Sequence, residues 1–275
     1  MGIRERIRSV RLLLVALWGM YFPSCGVPAG LNLFPVEEDV RLGAQFDAAL
    51  RRSPEYAIWE PRTAEERALL AYVQGIVDTL LRHNSVPHEE VFRYRVSLVR
   101  GETVNAFATA GGYLYVYTGL LKQVESEAEL AGILGHEVAH AAHRHVTRQL
   151  TARYGLSWVS QILLGQDPGL LEQLLASLGT GLAALRFSRD FELEADRSAT
   201  RWLLASPYRA DAILNFLRRI QHQPRPPEFL STHPDPARRI REIERLLAAP
   251  GSAPRGDDFR ERYQAFKERL LRLGL

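Results

Sequence analysis

The chain has 275 residues, of which 46% are hydrophobic and 24% are charged, and its formal net charge is +3. This balance is typical of a folded globular protein and excludes a disordered or fibrous chain. Acidic and basic side chains are interleaved along the predicted helices without a dense basic block, so we expect no nucleic-acid-binding surface.

The N-terminal residues 1–25 have the pattern of an export signal. Several arginines precede an apolar run, residues 12–22, that is too short for a membrane span but suits a signal-peptide core. Cys25 follows in a segment that resembles a bacterial lipoprotein cleavage site, and we predict that it is lipidated because a lone cysteine has no disulfide partner. A cleaved soluble form and an uncleaved anchor are the alternatives. Residues 26–275 are predicted to form a single domain.

Two amphipathic helices and a small sheet are predicted next. Apolar residues recur at helical spacing over residues 36–52 and 63–83, and Thr63 with Glu66 forms a capping-box pattern. Three stretches then have strand composition, namely residues 92–99, 104–108 and 113–117. Because turn residues separate them, at 100–102 and at Gly111-Gly112, the expected sheet is antiparallel.

A second capping-box pattern, Ser126 with Glu129, opens a helix that is expected to run to about Gln149. The string His136-Glu137-Val138-Ala139-His140 lies inside it. Its two histidines share one helix face, so both rings can bind one tetrahedral ion while Glu137 reaches the bound water. Such a string also arises by chance, but chance rarely places it in an apolar helix with its own cap.

Five segments follow towards the C-terminus. The apolar stretch 155–185 is interrupted around Pro168 and predicts two short helices that cover the core, with contact to a membrane surface as the alternative. Further helices are expected over 188–205, 237–247 and 257–273, and a Pro-rich surface segment over 224–236.

A catalytic zinc ion needs a third protein ligand and one position open to water. Glu192, on the predicted helix 188–205, can supply that ligand. Asp196 lies one turn further on the same face, where it can accept the second N–H of a ligand histidine. The alternative, that these acids only complement the helix dipole, is less favoured beside the two-histidine motif. We therefore expect one zinc ion per chain.

The remaining histidines differ in their expected roles. By helical spacing His143 lies near the metal face and His145 does not, and both are expected to be structural because water takes the fourth position. His233 lies in the Pro-rich loop, and a loop residue can approach or leave an open metal position. In the open state His233 or Arg239 would donate to the oxyanion formed during attack. The alternative for His233 is a turn residue.

The two motifs, His136-Glu137-x-x-His140 and Glu192-x-x-Ala195-Asp196, resemble those of the HtpX- and BepA-type gluzincins, which are related to the CAAX-prenyl endopeptidases. The resemblance extends over about residues 36–247 and includes Asn105-Ala106-Phe107 and Ser231-Thr232-His233-Pro234. It implies an α+β, mainly helical zincin-like domain with a small antiparallel sheet at the active-site cleft. It also implies that His233 is a reversible fourth ligand, and that the chain is closest to short, stand-alone periplasmic lipoproteins.

The function implied is a zinc-dependent endopeptidase that cleaves unfolded or misassembled proteins of the bacterial cell envelope. We expect it in the periplasm, anchored to the outer membrane through Cys25, where the outer-membrane assembly machinery is a candidate partner. An extended substrate would pair with the edge strand at Asn105, Ala106 and Phe107, although Asn105 could instead be a turn residue. A metal-latched chaperone or assembly factor with little proteolysis is the alternative function, and a zinc hydrolase of small molecules is a third.

Overall fold

The computed structural model describes residues 30–163, 186–225 and 227–275. The predicted lipidation site Cys25 and most of the apolar segment 155–185 lie outside these residues. Within them, no helix combines the length and the hydropathy that crossing a membrane requires.

The described part of the chain consists of α-helices packed around a three-stranded sheet, as an α+β, mainly helical domain requires. In chain order the elements are α1 (Val36–Arg52), α2 (Ala64–Arg82), β1 (Arg95–Val99), β2 (Ala106–Ala108), β3 (Tyr113–Tyr117), α3 (Thr118–Gln123), α4 (Glu127–Ala142), α5 (His145–Leu163), α6 (Arg189–Leu204), α7 (Ala212–Gln221), α8 (Glu228–Thr232), α9 (Pro236–Leu247) and α10 (Arg260–Arg272).

The helix starts follow the capping signals of the sequence. At the start of α2 the Thr63 hydroxyl accepts a hydrogen bond from the backbone N–H of Glu66, and the backbone N–H of Thr63 donates one to the Glu66 carboxylate, so the full capping box is present. At the start of α4, Ser126 accepts from the backbone of Glu129, whereas the Glu129 carboxylate accepts from the backbone of Glu125. Both helices therefore begin where predicted.

The sheet is mixed rather than antiparallel, which corrects the prediction from the sequence. β2 and β3 are antiparallel across a turn in which Gly111 and Gly112 adopt positive φ angles of 73° and 90°. β1 and β3, however, are parallel, and the strand order is β1-β3-β2. Residues 100–102 are therefore not a hairpin turn, since the chain passes to the far side of β3 before β2 begins. Local turn signals do not specify on which side a strand returns.

The helix that carries the two-histidine motif ends at Ala142 instead of reaching Gln149. Arg144 adopts a left-handed φ of 57°, and α5 begins at the next residue, His145. The sequence gives no glycine or proline at this position to indicate the break. The prediction of one continuous helix is therefore wrong at its C-terminal end.

A buried ion pair holds this break in place. Asp39 of α1 is fully buried and accepts a hydrogen bond from Arg144 Nε at 2.8 Å and one from Thr147 Oγ1 at 2.7 Å. The Arg144 guanidinium also donates to the backbone carbonyl of Phe34, at 2.6 Å. Because these are charge-assisted bonds to a buried carboxylate, they compensate the unfavourable backbone conformation of Arg144.

The metal-motif helix α4 lies at the centre of the core, and every one of its residues is buried. It packs against α6 on one side and against α2, α7 and β2 on others. A methyl group on Gly132 would lie 2.7 Å from Ile213 Cβ on α7, so glycine permits this close approach. The tight packing with α6 is what brings Glu192 and Asp196 to the histidines.

Candidate metal centre

Four buried side chains from three segments converge at the centre of the domain. His136, His140, Glu192 and His233 each offer one ligand atom, and these atoms lie within 4.8 Å of one another. The Nε2 atoms of His136 and His140 are 2.9 Å apart, and His233 Nδ1 lies 3.3 Å from His136 Nε2. Glu192 Oε1 lies 3.2 Å from His233 Nδ1. The three residues predicted as ligands are thus together, with His233 beside them.

The chemistry of this group fits a zinc ion. Three imidazole nitrogens and a carboxylate oxygen form a donor set that zinc accepts in tetrahedral geometry. Within the described residues, both carboxylate oxygens of Glu137 and the Oε2 atom of Glu192 lack a hydrogen-bond partner. Buried carboxylates without donors are costly, and a divalent cation among them would remove that cost.

Glu137 lies beside the cluster, where a general base would be needed. It is fully buried, and its Oε1 is 3.4 Å from His233 Nε2. Burial raises the pKa of Glu137 above its ordinary value. A raised pKa suits a carboxylate that must take a proton from water near neutral pH.

Asp196 and Arg239 support His136 on the side away from the cluster. Asp196 Oδ1 lies 2.9 Å from His136 Nδ1, the ring nitrogen that faces away from the cluster. Arg239 donates to both oxygens of Asp196, from Nε at 2.8 Å and from Nη2 at 2.7 Å. Although burial raises the pKa of Asp196, the charges of Arg239 and His136 bring it below its ordinary value. Asp196 is therefore an ionised acceptor for the His136 N–H.

The third nitrogen of Arg239 points towards the Glu192 carboxylate. Nη1 lies 3.4 Å from Glu192 Oε2 and has no hydrogen-bond partner within the described residues. The side chain is only 1% exposed. Two of the three nitrogens are thus engaged with Asp196, and Nη1 is the nitrogen that could still donate to another group.

His145 lies against His140, which corrects the expectation from helical spacing. The two Nδ1 atoms are 2.8 Å apart, and His145 Nε2 lies 3.2 Å from Glu194 Oε2. Burial lowers the pKa of His145 to about 4, so its ring is neutral at pH 7. The expectation failed because it extended the α4 periodicity across the break at Arg144. His143, which was expected nearer the metal face, contacts Ser198 Oγ at 2.7 Å.

The predicted substrate-binding strand is buried under α8. The backbone N–H of Phe229 donates to the carbonyl of Val104 at 3.1 Å, and Thr232 Oγ1 donates to Asn105 Oδ1 at 3.3 Å. His233 Nε2 lies 3.4 Å from the carbonyl oxygen of Ala106. This segment therefore covers residues 104–106, at the start of β2, in this conformation.

The side chains of the same strand point to different environments. The Phe107 ring stacks on Tyr115 at a centroid distance of 4.8 Å, inside the core. Asn105 is fully buried, and its Nδ2 has no hydrogen-bond partner within the described residues. Phe107 is thus a packing residue in this conformation, whereas the Asn105 amide is free to donate.

Comparison with known proteins gives a family match and several relatives. The model of peptidase family M48 matches residues 68–247. The beta-barrel assembly-enhancing protease of Yersinia pestis is 29% identical over 79% of this chain and 45% of its own length. The beta-barrel assembly-enhancing protease of Escherichia coli K12 is 27% identical over 79% of this chain and 45% of its own length. The mitochondrial metalloendopeptidase OMA1 of Bos taurus is 28% identical over 70% of this chain and 41% of its own length. The chain thus spans less than half the length of these relatives.

Proposed function

Because the chain belongs to peptidase family M48, we propose that it is a zinc-dependent endopeptidase whose metal ion is held by His136, His140 and Glu192. M48 metalloproteases use zinc. The observation that carries the proposal is the buried convergence of these three side chains beside Glu137, whose carboxylate oxygens have no hydrogen-bond partner among the described residues.

Each residue of the site has a distinct task in this reaction. A bound zinc ion supplies Lewis acidity, which lowers the pKa of water and polarises a peptide carbonyl. Glu137 takes the proton of the attacking water and hands it to the leaving amine. Asp196 accepts the N–H of His136 and so holds that ring with Nε2 towards the metal. Arg239 neutralises Asp196 and offers Nη1 to the developing oxyanion.

We further propose that the conformation described here is a closed one. His233 presents Nδ1 to the cluster, and its Nε2 lies near both Glu137 and the Ala106 carbonyl. In that place it would fill the position that water needs. The same segment covers residues 104–106 at the start of β2, where an extended peptide would pair. Catalysis would therefore require residues 228–233 to move away as one unit.

The closed-state proposal is tested by His233→Ala. We expect the variant to retain zinc, because three ligands remain, and to cleave peptides faster than wild type because water gains access. Zinc content by mass spectrometry and initial cleavage rates are measured together. Slower cleavage with zinc retained would contradict the latch and favour a donor role for His233 in the oxyanion step. Unchanged rates and zinc affinity would reject both roles.

The substrate class we propose is unfolded or misassembled protein of the bacterial cell envelope. The two bacterial relatives described above carry the name beta-barrel assembly-enhancing protease, which associates them with the assembly of beta-barrel proteins. The export-like N-terminus supports a periplasmic location for this chain, with Cys25 as the lipid attachment site. Backbone pairing at a strand edge would suit such clients, since it makes little demand on their sequence.

The central experiment compares the full-length chain with Glu137→Gln in digests of an unfolded outer-membrane protein. We expect wild type to cleave it and Glu137→Gln to be inactive while it keeps its zinc. Glu65→Gln, the same substitution at an exposed residue of α2, is the matched control and should cleave like wild type. Wild type that binds zinc but leaves the protein intact would contradict the peptidase proposal.

The same experiment addresses the alternative of a metal-latched chaperone. If wild type and Glu137→Gln protect an unfolded client from aggregation equally well and neither cleaves it, the chain acts by binding. Cleavage by wild type alone favours the enzyme.

A further inference from the structure

The two ligand histidines are supported by different acceptors. His136 has the Asp196 carboxylate behind its Nδ1, whereas the residue behind Nδ1 of His140 is another histidine, His145, at 2.8 Å. A neutral histidine that binds a metal through Nε2 carries its proton on Nδ1. The N–H of His140 therefore points at His145.

We infer that His145 is a positioning residue for the metal centre, which accepts the Nδ1–H of His140 and thereby fixes the tautomer and orientation of that ligand. The inference rests on the metal site of the proposed function and adds a residue to it. His145 does not belong to the four side chains whose ligand atoms lie within 4.8 Å of one another. It therefore acts through His140.

The tautomer of His145 follows from its second neighbour. If its Nδ1 accepts, its proton must lie on Nε2, and this nitrogen faces Glu194 Oε2 at 3.2 Å. Arg148 Nη1 donates to the same carboxylate oxygen at 2.9 Å. Arg148, Glu194, His145 and His140 thus form one hydrogen-bonded chain in which each donor meets an acceptor. A carboxylate commonly accepts the N–H of a ligand histidine directly, whereas here Glu194 accepts the N–H of His145, one residue further from the metal site.

Aromatic packing prevents both rings from turning away. The ring of His145 is fully buried and stacks on Phe191 at 4.3 Å, with an angle of 5° between the planes. The His140 ring stacks on Phe187 at 4.1 Å, with an angle of 17°. Because the rings are held before metal binds, the acceptor is preorganised and little rotational freedom is lost on binding.

The experiment uses two substitutions in the full-length chain whose side chains have the same number of heavy atoms and the same branching at Cγ. His145→Asn can place an amide oxygen where Nδ1 lies, and His145→Leu cannot accept a hydrogen bond. The zinc dissociation constant is measured by competition with a chromophoric chelator, and the melting temperature of the metal-free protein is measured in parallel. We expect His145→Leu to raise the dissociation constant roughly 10- to 100-fold, the usual effect of losing such a partner, and His145→Asn to stay within about threefold of wild type.

Two results would overturn the inference. Equal zinc affinity in all three proteins would show that His140 needs no acceptor. Equal losses in both variants, matched by equal drops in melting temperature, would show that His145 only packs. If neither variant folds, Glu194→Leu is used instead, because the Glu194 side chain is 37% exposed and its replacement disturbs the core less. A raised zinc dissociation constant in that variant supports the hydrogen-bonded chain through His145, and an unchanged one refutes it.

Metal affinity is measured without any cleavage, so the inference and the peptidase proposal fail separately. Zinc affinities in the expected order without proteolysis would overturn the peptidase proposal alone. Proteolysis with unchanged affinities would overturn the role of His145 alone.

Discussion

Replacement of Arg239 by methionine should strongly destabilise the metal-free protein. Arg239 and Asp196 are both about 1% exposed, and the guanidinium donates two hydrogen bonds to the carboxylate. In Arg239→Met the apolar part of the side chain remains, but the charge that balances Asp196 is lost. Among the described residues, His136 Nδ1 would then be the nitrogen that still faces the Asp196 carboxylate.

The size of the effect follows from the burial of the pair. Removing one partner of a buried ion pair costs about 3–5 kcal/mol, because an uncompensated charge remains inside. The His136 N–H still stabilises Asp196, so we expect a value near the lower end. For a domain of this size that corresponds to a drop in melting temperature of roughly 6–12 °C. Adding Asp196→Asn should restore part of the loss, since the buried charge then disappears.

The assay is urea unfolding of the zinc-free, full-length chain, followed by circular dichroism. Arg241→Met, at an exposed position of the same helix α9, is the control and should change the free energy of unfolding by less than about 0.5 kcal/mol. If Arg239→Met differs from wild type by less than about 1 kcal/mol, or if the double variant is less stable than either single one, the reasoning about the buried pair is wrong.

Four further outcomes are expected. Purified full-length chain should contain about one zinc ion and lose cleavage activity to chelators, and metal-free protein that still cleaves would contradict the metal site. Fatty-acid labelling in bacterial cells should disappear in Cys25→Ser, so labelling that persists would contradict lipidation. Gly43→Ala should destabilise the domain by about 1–3 kcal/mol in thermal unfolding, because the added methyl group would overlap the Ala110 carbonyl oxygen. An unchanged melting temperature would show that α1 is not held close to Ala110. The hydrogen bond from His145, with help from Arg148, holds the pKa of Glu194 at about 2. The ionised Glu194 therefore stabilises the fold above about pH 5, and this stabilisation is lost as the pH falls towards 2. Glu194→Gln should flatten this part of the acid unfolding curve, and parallel curves for variant and wild type would refute the assignment.

The two residue pairs at the candidate metal centre are each encoded locally, and their positions could therefore be predicted. His136 and His140 are one helical turn apart, and Glu192 and Asp196 are likewise one turn apart, so helix geometry alone puts each pair on one face. The mainly helical α+β class and the start of α4 follow in the same way from periodicity and capping. These features depend on contacts between residues that are near in sequence.

The features that were missed depend on contacts between distant residues. The parallel pairing of β1 and β3 is decided by how the chain passes to the far side of β3, which no turn signal encodes. The left-handed conformation of Arg144 is stabilised by Asp39, a residue on another helix, so nothing in the local sequence indicates that the helix ends there. Because that break was not foreseen, His145 was assigned to the wrong side of the metal helix.

The break at Arg144 also bears on how long the protein would keep its metal. It separates α4 from α5, so α5 can open locally while α4 remains folded, and such an opening would carry His145 away from His140. Metal release would then depend on a fluctuation of a helix that supplies no ligand. Asp39 opposes the same fluctuation from α1, so proteolytic loss of α1 should shorten the lifetime of the zinc-loaded protein although every ligand stays in place.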